Sequence, residues 1–164
     1  MTLEDGALVD NSRFPSLYDL IACIQIEPLS VGVHAVRTIG VVKPNQAVAV
    51  FGAGPIGLLC LAVAKAMGAK RTIAIDIDQA RLNFAKSYAA TDVFLPPAKK
   101  DEESQVEYSR RSAMEMMEKL HLTERGPNAV DLIIEASGAP VSVQTGIFLV
   151  KPGGKDIHNA HILR

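Results

Sequence analysis

The chain has 164 residues, 48% of them hydrophobic and 21% charged, with a formal net charge of −1. That length and balance describe one globular domain rather than a disordered chain. A near-zero charge with no basic block or aromatic-basic interleaving sets nucleic acid aside as a partner. The acidic amino terminus has no basic leader, and the longest apolar run, within Val48–Ala69, is broken by glycines, Pro55 and Lys65. No secretion signal or membrane span is therefore expected. Cys23 and Cys60 form neither a zinc spacing nor a disulfide framework, which suits a reducing, cytoplasmic setting.

Along the chain, Asp10–Pro15 is turn-like, and Leu17–Ile26 is apolar without a clean period. Pro28 is expected to open a helix reaching about Val36. After the turn Lys43–Gln46 comes a first strand, Ala47–Phe51, and then a helix over Ile56–Met67 that Gly68 stops in a left-handed conformation. Arg71–Ile75 is a second strand. Asp78 is placed to cap a helix with Leu82, Ala85 and Ala89 inward and Arg81 and Lys86 outward. Val93–Leu95 is a short third strand ended by Pro96 and Pro97. Val106, Ala113, Met117 and Leu120 then recur at helical spacing. Ala129–Glu135 is a fourth strand, and Ser142–Val150 a helix before the Lys151–Gly154 turn. The alternation predicts an α/β fold, a partial doubly wound (Rossmann-type) parallel sheet of order 3-2-1-4 lacking most of its second half. Lys155–Arg164 reads as a poor fifth strand, so the outer edge of Ala129–Glu135 is expected to be exposed and to promote self-association.

Chemistry is concentrated between the first strand and its helix. Gly52, Gly54 and Gly57 have the G-x-G-x-x-G spacing. The first allows a sharp turn, the second leaves room for a pyrophosphate, and the third lets helix and strand approach. Pro55 and Ile56 open a helix whose free amides face the phosphates. Asp76, at the end of the second strand, is placed to accept hydrogen bonds from an adenosine ribose. With no basic residue beside it in the sequence, a 2′-phosphate would meet like charge, so NAD is expected over NADP. A ligand-free glycine turn and another adenosine ligand such as S-adenosylmethionine remain alternatives. Asp78 is a rival acid, although its position suits capping. Arg81 is assigned to the adenine side or to solvent, and Ser137 and Gly138 to the crevice edge. His34 reads as packed, His121 as surface, and His158 and His161 as no site. Met114, Met116 and Met117 fall on different helix faces, and Cys60 is expected to be buried and inert. No complete catalytic set is present.

Glu27–Arg37, Val48–Ala69, Ile73–Lys86, Ala90–Leu95 and Asp131–Pro140 together resemble the zinc-containing medium-chain polyol dehydrogenases, the sorbitol, xylitol and L-arabinitol group of fungal type. The resemblance implies NAD-dependent oxidation of a polyol to a ketose, with zinc polarising the alcohol. It matches Glu27 to the family's metal site, and Gly52, Gly54, Gly57 and Asp76 to its cofactor residues. It implies an oligomer formed through the cofactor domain. It also implies an amino-terminal domain bearing the other zinc ligands, for which this sequence has no counterpart; a Cys23–Glu27 metal pair is not expected. The division expected is a divergent segment over 1–26, a partial dinucleotide-binding domain over 27–154 and a divergent tail over 155–164. Such a chain reads as a fragment or mis-spliced product, inactive alone, or as a non-enzymatic partner of an intact relative.

Overall fold

The computed structural model describes residues 26–158. Cys23, His161, Asp10–Gln25 and residues 159–164, for which the sequence sets expectations, lie outside that range. One parallel sheet of five strands has the order β3-β2-β1-β4-β5: β1 Ala47–Phe51, β2 Arg71–Ile75, β3 Asp92–Phe94, β4 Val130–Glu135 and β5 Val150–His158. Helical backbone over 26–39, here α1, ends in a π-helical stretch His34–Ile39, so it runs past Val36. The other helices are α2 Pro55–Ala66, α3 Gln79–Tyr88, α4 Gln105–Lys119 and α5 Pro140–Leu149.

β1 is buried along its whole length because it lies between β2 and β4 and has helices on both faces. Its side chains alternate between two cores. Val48 and Val50 pack with Cys60 and Leu61 of α2, Leu82 and Ala85 of α3, and Ala35 and Val36 of α1. Ala49 and Phe51 pack with Ile73, Ile75, Met116 of α4, Ile133 and Leu149 of α5. Each fully buried Leu or Ile contributes about 1.5–3 kcal/mol, so these two faces are the main favourable term.

Local signals end the helices as their residues demand. At the end of α2, Gly68 adopts φ 86°, its N–H bonds to Lys65 O, and the Ala69 N–H bonds to Ala64 O. This closes the turn in a Schellman motif and satisfies two of the last carbonyls. Asp78 caps α3 by accepting from Ala80 N and Arg81 N. Ser104 and Glu107 form a reciprocal capping box on α4. On α4 the buried residues are Ser109, Ser112, Ala113 and Met116, while Val106 and Met114 are exposed. Val106 therefore does not share the inward face that its spacing with Ala113 had implied.

The edge expectation is corrected. β4 has β5 on its outer side, paired in parallel from Leu132 with Lys155 to Glu135 with His158, with an irregularity near Val130. Lys151–Gly154 belongs to this strand instead of forming a turn, and Gly153 takes φ 78° within it. The reason is that an edge strand is held by backbone pairing and few inward side chains. Ile157, 4% exposed, joins the core shared with α1 and α2. A search for a β-branched run does not find such a strand. Among the described residues, no helix is long and apolar enough to cross a membrane.

Candidate functional site: a glycine-walled cleft at the carboxyl edge of the sheet

The carboxyl ends of β1, β2 and β4 meet at a cleft of about 280 Å³. This is the side of a doubly wound sheet, beside the reversal of strand order, where ligands bind. Its wall includes Gly52, Gly54, Asp76, Arg81 and Ser137, together with Phe51, Ile75, Ile77 and Ala136. Pro96, Tyr108, Ser112, Ser142 and Thr145 complete it from the α4 and α5 side.

The three glycines differ in what surrounds them. Gly52 has φ 95°, and a Cβ there would lie 2.9 Å from Ala136 C and O and from Ser137 N. Only glycine suits that turn and that approach. At Gly57 a Cβ would lie 1.8 Å from Gly52 O, which excludes any side chain. Gly54 is different: a Cβ there meets nothing within 4 Å. Its missing side chain serves open space. Gly54 is also the N-cap of α2, with Pro55 next and no side-chain capping bond. No side chain at the cap therefore competes for the first-turn amides, which is the arrangement an anion site uses.

Asp76 sits at the end of β2 and is 8% exposed. Its Oδ2 accepts from Ala53 N at 2.7 Å and its Oδ1 from Asp78 N at 2.9 Å. One carboxylate thus joins the glycine loop to the start of α3. Each oxygen keeps further acceptor capacity for a ligand hydroxyl. Asp78 points its carboxylate at its own helix, with Ala80 N at 2.7 Å. The Arg81 guanidinium lies 3.9 Å from Asp76 Oδ2 and 3.9 Å from Asp78 Oδ2. The sequence expectation of no basic group beside Asp76 is therefore corrected. The first turn of α3 brings Arg81 back over β2.

Opposite Asp76, Ser137 and Gly138 form the turn after β4. Their backbone N–H groups donate to Glu135 Oε1 at 2.7 and 2.9 Å, and Ser137 Oγ donates to the same oxygen at 2.5 Å. Gly138 has φ 73°. Ser137 lines the cleft, whereas Pro55, Ile56, Gly57 and Gly138 are not among its lining residues. Sequence reasoning missed Glu135, Tyr108, Ser112 and Thr145. For Glu135 the available signal was an acid ending a buried strand, one residue before Ser-Gly. The others come from helices whose docking is tertiary. Tyr108 donates to Pro97 O at 3.0 Å, and burial pushes its phenol up.

The remaining sequence candidates lie apart from the cleft. Glu27 is exposed, and its carbonyl accepts from Ser30 Oγ. Among the described residues, no three His, Cys, Asp or Glu side chains converge as a metal would require. The donor set here does not fit a zinc centre, and no chemical step is assigned to one. Cys60 is buried and its thiol is pushed up to about 12 by burial, far from thiolate reactivity. His34 is half-buried on α1 and His121 is exposed.

A family model described as zinc-binding dehydrogenase matches residues 55–157. The chain belongs to the zinc-binding dehydrogenase family. D-xylulose reductase A of Aspergillus oryzae is 44% identical over 142 residues, covering 87% of this chain and 36% of that protein. Galactitol-1-phosphate dehydrogenase of Escherichia coli superposes with a TM-score of 0.60 at 32% identity, over 81% of this chain and 34% of that one. A zinc-binding-dehydrogenase-type protein of Sinorhizobium meliloti 1021, solved bound to NADP, gives a TM-score of 0.60 at 26% identity over 80% of this chain and 34% of that one. This zinc-binding dehydrogenase chain spans 36% of the length of the first curated relatives it matches.

Proposed function

We propose that the cleft binds NAD(H), and that the chain is the dinucleotide-binding unit of an NAD-dependent oxidation of a polyol such as xylitol, sorbitol or arabinitol to a ketose. The unit proposed over 27–154 has a last strand that runs on to His158. The reading is carried by one observation: Gly54 is free of any neighbour where Gly52 and Gly57 are crowded by backbone. A loop kept clear at that point, beside helix amides that no side chain caps and a buried acid 23 residues from Ala53, suits a pyrophosphate and its ribose. NAD, when bound, supplies a hydride acceptor. This chain's residues then bind and orient: the α2 amides face the phosphates, Asp76 accepts from the ribose hydroxyls, and Ser137 borders the cleft opposite.

Asp76 favours NAD over NADP, since its carboxylate opposes a 2′-phosphate. Arg81 at 3.9 Å offsets part of that repulsion, so the preference is narrower than an isolated acid would give. The chain itself is read as binding the cofactor without turning over a polyol, because Glu27 is the one residue matched to the family's metal site. A cytoplasmic setting is proposed from the sequence, whose two cysteines, Cys23 and Cys60, make no disulfide framework. Association between copies is proposed through the outer edge of β5. Lys151, Pro152 and Lys155 blunt that edge, so the contact is weak.

Titration with NADH and NADPH, followed by fluorescence or calorimetry, tests the reading. NADH is expected to bind more tightly than NADPH, and Asp76→Ala to narrow the difference. Equal affinity of the unaltered chain for both would sink the NAD assignment. Zinc-dependent turnover of xylitol by the purified chain, abolished on changing Glu27, would overturn the non-catalytic part.

A further inference from the structure

Resting on the cofactor reading above, we propose that Glu135 is a positioning residue for the dinucleotide, its carboxylate holding the turn after β4 at the distance from Gly52 that leaves the cleft open. Glu135 is the last residue of β4 and is 3% exposed. A single oxygen, Oε1, takes the Ser137 N–H, the Ser137 hydroxyl and the Gly138 N–H, at 2.5–2.9 Å. Three donors gathered on one oxygen are a charge-assisted arrangement, each bond about twice as strong as a neutral one. The Ser137 hydroxyl in turn lies 2.9 Å from Ser142 Oγ, so the grip extends to the first turn of α5.

The geometry around Gly52 explains why this turn needs holding. Ala136 N donates to Phe51 O at 2.8 Å, which brings the turn alongside the glycine loop. Ala136 and Ser137 then stand so near that a Cβ on Gly52 would meet them at 2.9 Å. Inward movement of the turn collides with Gly52. Outward movement takes Ser137 away from the cleft that it lines together with Gly54. Backbone pairing with Phe51 ends at Ala136, so Glu135 and its three bonds are what set the next two residues. Glu135 does not line the cleft itself; it acts through Ser137 and Gly138.

The test compares the full 164-residue chain with Glu135→Gln and Glu135→Asp. The amide variant keeps the shape and removes the charge, and the shorter acid keeps the charge at reduced reach. Glu135→Gln is expected to bind NADH about tenfold more weakly, the loss of roughly one charge-assisted bond, with Glu135→Asp in between. Amide exchange at Ser137 and Gly138 should quicken in both variants, while amides of β1 keep their protection. If Glu135→Gln does not fold, Glu135→Asp decides alone: unaltered NADH affinity overturns the inference. NADH affinity equal to that of the unaltered chain in both variants overturns it likewise. So does faster exchange spread evenly over β1 and β4, which marks a merely structural role. Failure of the unaltered chain to bind NADH overturns the cofactor reading itself and this inference with it.

Discussion

Gly54 and Gly57 separate binding from folding within four residues. A methyl group at Gly57 would have to occupy the place of Gly52 O, 1.8 Å from the new carbon. Neither backbone can retreat, because Gly52 N is held by Ile75 O and α2 is packed on the sheet. Gly57→Ala is expected to destabilise the fold by about 3 kcal/mol or more, seen as a lowered denaturant midpoint. At Gly54 the backbone has φ −77° and ψ −177°, which alanine accepts without strain. Gly54→Ala should leave stability within about 0.5 kcal/mol of the unaltered chain and weaken NADH binding by at least about tenfold, because its methyl group enters the space proposed for the pyrophosphate. Equal NADH affinity in Gly54→Ala would count against that space as the phosphate site.

Helix ends are the scale at which sequence and structure agree most directly, because a cap needs only neighbours in the chain. Ser104 Oγ accepts from Glu107 N; the Glu107 carboxylate in turn accepts from the Ser104 hydroxyl at 2.6 Å and from Ser104 N at 2.9 Å, and these two bonds hold it below the usual carboxylate range. Ser104→Ala should lower stability by about 1 kcal/mol at an unchanged dependence on denaturant, with NADH affinity unaffected. A loss of NADH affinity in that variant would mean α4 supports the cleft more rigidly than capping implies. The loop before α4 is fastened separately. Arg111 makes a two-pronged contact with Glu103 at 2.8 Å and reaches Ala98 O, and the guanidinium holds the Glu103 carboxyl down to about 2. None of those long-range partners follows from helical periodicity.

Over the whole molecule, β5 joins the sheet at the expense of a buried acid. Asp156 lies beside Ile133 and under Gly146 of α5, and neither of its oxygens has a hydrogen-bond partner among the described residues. Burial raises its carboxyl above the ordinary range; His158, 3.9 Å away, opposes the shift when protonated, and Glu135 of β4 adds to it. α5 brings no charged side chain. With the folded value above the unfolded one, the native state binds this proton more tightly. Stability from this group is therefore greatest at low pH and falls as pH rises from the ordinary carboxylate range through the raised folded value. Asp156→Asn should remove that slope and gain on the order of 1 kcal/mol at neutral pH. Unfolding midpoints from pH 4 to 8 check it, and an unaltered slope would show that Asp156 is solvated in solution.

The glycine spacing, the order of strands β1 to β4, the caps of α3 and α4 and the stop at Gly68 were legible in the chain alone. Each depends on local conformation or on an apolar period that neighbouring residues set. Asp76 and Ser137 could be named for the crevice for the same reason, since they end predicted strands. What the tertiary structure decided is the rest of the wall and the edge. Tyr108, Ser112 and Thr145 reach the cleft only because α4 and α5 dock over Phe51 and Ile133. Arg81 meets Asp76 because one helical turn brings it back over β2. Glu135 holds Ser137 through a carboxylate whose direction no periodicity encodes. β5 forms around Pro152, two glycines and Asp156 because backbone pairing along β4, with Ile157 inward, outweighs side chains that favour no strand.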